Sequence, residues 1–167
     1  MPFPSEPAPL AESLREIVKG AVCIMGVGNR MRGDDGAGPV LMDALAGRVD
    51  AHCIDAGTAP ENVVEKTARL GPDTVLIVDA LHFDAQPGDC RVFVPEDLPA
   101  GGISTHAPSL QLTCEYLRAR IPVSVFVIGI QPQAIRLGDS LSSAVGRAVH
   151  ELAGLLVELL GSHTPPP

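Results

Sequence analysis

Apolar positions along the chain follow two rhythms, and their alternation predicts an α/β fold. Continuous apolar runs at Ala21–Val27, Thr74–Val78 and Val123–Ile130 read as strands buried on both faces. Ala51–Ile54 is a shorter strand. Cys90–Val94 is another, preceded by the turn signal Pro87-Gly88. Helical spacing fills the intervals. Leu10, Leu14, Ile17 and Val18 form one face of a short helix closed by Gly20. Pro39–Leu45 reads as a helix entered through Gly36 and Gly38. A third helix starts at Pro60, where proline is tolerated, and runs to about Leu70. Pro108–Arg120 is a fourth, and Ser140–Leu160 a long fifth despite Gly146 and Gly154.

Strands alternating with helices need crossover connections, so the sheet is mostly parallel and covered on both faces. The expected architecture is a three-layer α/β sandwich around a twisted five-stranded sheet. No full helix separates Asp79 from Cys90, so the Cys90–Val94 strand is expected to be the antiparallel member. Residues 1–20 read as an N-terminal extension carrying a short helix. Residues 21–161 read as one α/β domain, and 162–167 as a disordered tail, as do Met1–Pro9 at the other end.

Composition narrows the function. Aromatics make up only 3% of the chain, so Val, Ile, Leu and Ala must build the core. The formal charge of -8, with no Lys/Arg cluster, argues against nucleic acid and against an anionic membrane surface. The proline-rich start has neither the basic nor the apolar segment of a signal peptide. No apolar run is long enough to span a bilayer. A reducing cytoplasm is the expected compartment. Cys23, Cys53, Cys90 and Cys114 form no CxxC pair, and Cys23 and Cys53 sit in apolar runs as buried thiols.

In an open α/β sheet, ligands sit beyond the carboxyl ends of the strands. The first strand leads into Gly26-Val27-Gly28-Asn29-Arg30-Met31-Arg32-Gly33-Asp34-Asp35-Gly36-Ala37-Gly38. The second leads into Asp55-Ala56-Gly57-Thr58, the third into Asp79, and the last into Gly129-Ile130-Gln131-Pro132. Ser104-Thr105-His106 precedes the fourth helix. A dinucleotide fingerprint would need glycine where Met31 stands, and two adjacent carboxylates would repel a pyrophosphate. Asp55 as a ribose-binding acid keeps a nucleotide-binding module among the alternatives. No GK[ST] and no GxSxG occurs, against a P-loop and a serine elbow.

Asp34 reads as a helix cap, which leaves Asp35 for another role. Asp79 ends a Leu-Ile-Val run, where a buried carboxylate needs an amide, a cation or a metal. His106 lies in a loop. His52, His82, His150 and His163 read as surface residues. Asp35, Asp79 and His106 together offer two hard oxygens and one imidazole, which suits a divalent metal with open positions.

From about Val22 to Leu160 these motifs, with Pro60-Glu61-Asn62, Leu76-Ile77-Val78-Asp79-Ala80 and Pro87-Gly88, resemble the maturation endopeptidases of nickel–iron hydrogenases. The branch that processes the formate-hydrogenlyase-type large subunit is the nearest in pattern. The resemblance implies a five-stranded twisted sheet between helices. It implies metal contact, and catalysis, by Asp35, Asp79 and His106. It implies a monomeric endopeptidase whose partner is a large-subunit precursor that already holds nickel, cut to release a short C-terminal peptide. Nickel would then come with the substrate, and no tightly bound cofactor of the enzyme's own is expected. Asn29, Asp55, Gly57, Thr58 and Gln131 are candidates for contact with the substrate. A nickel chaperone without peptidase activity is the other reading that uses the same ligands.

Overall fold

The computed structural model describes residues 9–99 and 106–161. Apart from Pro9, which stands at the start of the first helix, the expected disordered ends, and with them His163, Ser104 and Thr105, lie outside the described residues. Strands β1 (Val22–Val27), β2 (His52–Gly57), β3 (Thr74–Ala80), β4 (Cys90–Phe93) and β5 (Ser124–Ile130) form one sheet in the order β2-β1-β3-β5-β4. All neighbours pair in parallel except β4 with β5, which are antiparallel as expected. Helices α1 (Leu10–Ile17), α2 (Ala37–Leu45), α3 (Val64–Leu70), α4 (Ala107–Arg120) and α5 (Ser143–Leu160) complete the chain.

Two apolar clusters form, one on each face. Side-chain alternation sends Ile54, Met25, Ile77, Val127 and Phe93, neighbours across the five strands, to one face. Leu110, Cys114 and Leu117 of α4 cover them. Ile24, Leu76 and Ile128 point the other way and meet α2 and α5. The N-terminal extension belongs to this second layer, because Leu14 of α1 is buried in it. Its exit is fixed by Thr74, whose Oγ1 accepts from Lys19 N–H at 3.1 Å and donates to the Lys19 carbonyl at 2.7 Å.

Several boundaries differ from expectation for local reasons. α2 begins at Ala37, which puts Pro39 in the first turn, where its missing N–H costs nothing. Pro60–Val63 and Gly33–Gly36 are turns of 3-10 helix. β2 continues through Asp55 to Gly57, because Asp55 lies on an edge strand and pairs with Arg30 at 2.8 Å. α5 starts later than Ser140, at a Ser142 cap whose side chain accepts from Val145 N–H.

The chain leaves β1 towards β2 on one side and leaves β3 towards β5 and β4 on the other. The strand order therefore reverses between β1 and β3, and a crevice opens at their carboxyl ends. Glycines bring α2 close over that point. A Cβ on Gly38 would lie 2.5 Å from the Val27 carbonyl oxygen and 2.6 Å from that of Val78.

Candidate metal centre

Three elements deliver three side chains to this crevice. The turn after β1 carries Asp35, the penultimate position of β3 carries Asp79, and His106 caps α4. All three are buried. His106 Nδ1 stands 3.8 Å from Asp35 Oδ1 and 3.7 Å from Asp79 Oδ2. One donor atom from each lies within 4.8 Å of the others. Donors bonded to one ion at about 2.1 Å are at most ~4.2 Å apart, so a shift of under ~1 Å gathers the set.

The electrostatics favour a cation. Asp79 is fully buried, and among the described residues neither of its oxygens accepts a hydrogen bond. Such a carboxylate is costly unless a positive charge meets it. Burial pushes its carboxyl up to about 6, against the pull of the His106 ring, and Asp35 adds to the rise. Asp79 in turn raises the His106 imidazole above its ordinary value, opposed by burial, while Arg32 lowers it.

The loop after β1 owes its shape to Gly28. Its φ is +141°, and a Cβ there would fall 1.8 Å from the Asp35 carbonyl oxygen. This close approach lets Asn29 N–H reach both the Asp35 carbonyl, at 3.1 Å, and Asp35 Oδ2, at 3.0 Å. The Asp35 side chain is thereby turned with Oδ1 towards His106.

The other candidates are placed around this lip in different ways. The Asn29 side chain accepts from Met31 N–H at 2.9 Å, which stabilises the loop. Asp55 holds Arg30, which also bonds Asp43 and the Pro39 carbonyl. Gly57 accepts from Gly28 N–H at 2.8 Å, and Thr58 beside it is exposed. Gln131 is buried. Its Oε1 accepts from Phe83 and Ala85 N–H, so its amide fastens the loop after β3. His52 and His150 are exposed, and His82 is half-buried against the Gln131 amide. All four thiols are free, and burial raises Cys23 and Cys90 to about 12 and Cys114 to about 11, so these three are protonated at neutral pH.

Asp34 corrects the expectation. It caps neither the 3-10 turn nor α2. Its fully buried carboxylate crosses to the segment between β5 and α5. There it accepts from Gln133 N–H at 2.8 Å, Ala134 N–H at 3.2 Å, Ser142 N–H at 2.7 Å and Ser142 O–H at 2.9 Å. Two carboxylates in tandem were the only sequence signal for this division of labour, because its partners lie about a hundred residues away.

Fold and site together define an α/β protein that gathers two carboxylates and one imidazole at the reversal point of its sheet. The chain belongs to the hydrogenase maturation protease family, whose model it matches over residues 41–159, a stretch that holds Asp79 and His106. It is 36% identical over 126 residues to the Hydrogenase 3 maturation protease of Escherichia coli, covering 74% of this chain and 80% of that one. The crystal structure of a hydrogenase maturation protease, HycI, from Thermococcus kodakarensis superimposes with a TM-score of 0.82 at 30% identity, covering 89% and 98% of the two chains. The solution structure of the endopeptidase HycI from E. coli gives 0.75 at 32% identity, covering 83% and 90%. This membership displaces the nucleotide-module alternative. No described helix is long and apolar enough to cross a membrane.

Proposed function

We propose that this endopeptidase removes the C-terminal extension from a nickel-loaded large-subunit precursor of a nickel–iron hydrogenase, and that Asp35, Asp79 and His106 hold the nickel the precursor brings. One observation carries the metal reading. A buried carboxylate with no hydrogen-bond partner among the described residues faces a second carboxylate and an imidazole at the sheet's lip. Two oxygens and one nitrogen are an incomplete shell for a first-row ion, and cysteine thiolates of the precursor complete it. An empty precursor lacks this contact, so the enzyme passes it over. The same reading makes the protein a cytoplasmic monomer with no nucleic-acid or membrane partner, in keeping with its charge of -8.

The chain's own contribution is to grip, orient and move a proton. Asp35, held by Asn29, and His106, heading α4, fix the ion relative to the sheet. A site carboxylate is suited to move the proton during hydrolysis, and Asp79, raised to about 6 in the ion-free site, is the one that most readily accepts it. Nickel either polarises the scissile carbonyl or only positions it. Precursor loaded with zinc, itself a Lewis acid, tests whether the ion must be nickel. Cleavage at a comparable rate removes any nickel-specific Lewis-acid role.

The reading is tested by incubating purified protein with nickel-loaded and nickel-free precursor and weighing the large subunit. Loss of the extension from the loaded precursor alone is expected. An unchanged mass in both, with nickel still bound to the protein, favours the chaperone alternative.

A pH dependence follows. Metal uptake must displace protons from Asp79, below about 6, and from His106, whose ordinary value is raised by Asp79. Nickel affinity is expected to rise by about tenfold or more from pH 5 to pH 7, and to go on rising above pH 7 until the raised His106 imidazole is neutral. Calorimetry with nickel chloride at pH 5, 6, 7 and 8 checks this. A flat profile contradicts it.

A further inference from the structure

We infer that Asp34 is a positioning residue for the metal lip, the clamp that makes its neighbour Asp35 competent to bind a cation. The inference rests on the metal reading above.

The two adjacent carboxylates have opposite fates. Asp34 points away from the crevice and takes three N–H bonds and one O–H bond from residues 133, 134 and 142. Three of these bonds fall on Oδ2 and one on Oδ1, and charge-assisted bonds of this kind hold the carboxylate in its orientation away from the crevice. Backbone bonds reinforce the same seam. Asp34 N–H donates to Ala134 at 3.0 Å, Gly33 N–H to Asp139 at 3.1 Å, and Gly138 N–H to Met31 at 2.8 Å. The turn at 31–34 is thus bolted to the segment between β5 and α5.

Asp35 faces the other way, with Oδ2 on Asn29 N–H and Oδ1 towards His106. Consecutive Cα atoms are 3.8 Å apart, so a residue pinned at 34 leaves the Cα of 35 little room to move. Ser142 ties the clamp to α5, because its hydroxyl donates to Asp34 and accepts from Val145 N–H at 3.4 Å. Asp34 therefore does for Asp35 what an outer partner does for a metal-bound histidine: it fixes where the ligand stands. Loss of such a partner costs about 10- to 100-fold in metal affinity.

The test uses Asp34→Asn, Asp34→Glu and Ser142→Ala in the full chain. Nickel chloride titration of the purified protein gives affinity. Circular dichroism and a thermal melt give folding. The visible spectrum of the cobalt(II)-loaded protein reports the ligand geometry. Asp34→Asn and Asp34→Glu are expected to keep a cooperative melt at lower temperature, to bind nickel about tenfold or more weakly, and to shift the cobalt bands. Ser142→Ala, which removes one bond of four, is expected to fold and to bind about two- to threefold more weakly. A folded Asp34→Asn with wild-type affinity and an unshifted spectrum makes Asp34 a stabilising residue only and overturns the inference. If Asp34→Asn does not fold, Ser142→Ala decides it by the same two readouts. A wild-type protein that takes up no nickel, even weakly at high nickel chloride, overturns the metal reading itself, whereas equal affinity in wild type and variants overturns only the clamp.

Discussion

Asp79→Asn is expected to abolish precursor processing and, at pH 8, to raise the melting temperature. The side chain keeps its shape but loses a charge that the fold buries completely and that finds no hydrogen bond among the described residues. Burial and repulsion from Asp35, opposed by the attraction of His106, together shift this carboxyl from 3.8 to about 6, roughly two units, each worth about 1.4 kcal/mol. Burying the unpaired amide of the variant offsets part of that gain, so a net of about 1–2 kcal/mol, or about 2–8 °C, is expected. The sign reverses the usual behaviour of a paired carboxylate. A raised native value means that Asp79 favours folding below about 4 and loses that contribution as pH rises through about 6. The advantage of the variant is therefore full at pH 8 and shrinks on acidification towards pH 4. Thermal melts at pH 4, 6 and 8, with a processing assay, check both halves. A variant less stable than wild type at pH 8, yet still folded and active, contradicts the account.

Gly28→Ala is expected to have the largest effect on stability outside the core, and to remove metal binding with it. Two costs coincide at this residue. A φ of +141° is a region that only glycine occupies readily. The added methyl would also overlap the Asp35 carbonyl oxygen, 1.8 Å away, and that atom is backbone. The turn must open, and the two Asn29–Asp35 bonds break. A loss of about 3 kcal/mol or more is expected, about 6–12 °C in the melt. Gly57→Ala is the matched control, because its φ is +55° but nothing lies within 4 Å of the added carbon. It is expected to cost only about 1–2 kcal/mol. Equal effects at the two positions would show that conformation alone, and not the closeness of Asp35, explains the loop.

Much of this was legible in the sequence, and the remainder was hidden for definite reasons. β1, β3 and β5 are apolar runs because both their faces are covered, so composition alone marks them. The antiparallel β4 was readable from the missing helix after Asp79. Asp35 and Asp79 stand out because they follow or end strands, His106 because its loop precedes the fourth helix, and the family resemblance joins the three. The end of β2 was missed because Asp55 and Gly57 look like a loop. Only pairing with β1 and the salt bridge to Arg30 keep them in the strand. Asp34 was misread because a cap is a local device, whereas its partners sit at 133, 134 and 142. Gln131, proposed for substrate contact, has its amide committed to residues 83 and 85, and a pattern at a strand end does not reveal such a commitment.

The extension before β1 has a role in packing. Leu14 is nearly inaccessible within the cluster formed by α2 and α5, and the Lys19–Thr74 bonds tie its exit to the start of β3. The site lies at the opposite end of that strand.

Crystals soaked in nickel chloride, with diffraction recorded on both sides of the nickel absorption edge, test the central claim most directly. The account predicts one strong anomalous peak bounded by the carboxylates of Asp35 and Asp79 and by His106 Nδ1, absent from crystals of Asp79→Asn. A peak only at His52, His82 or His150, or none at the crevice when nickel is bound elsewhere, would contradict it.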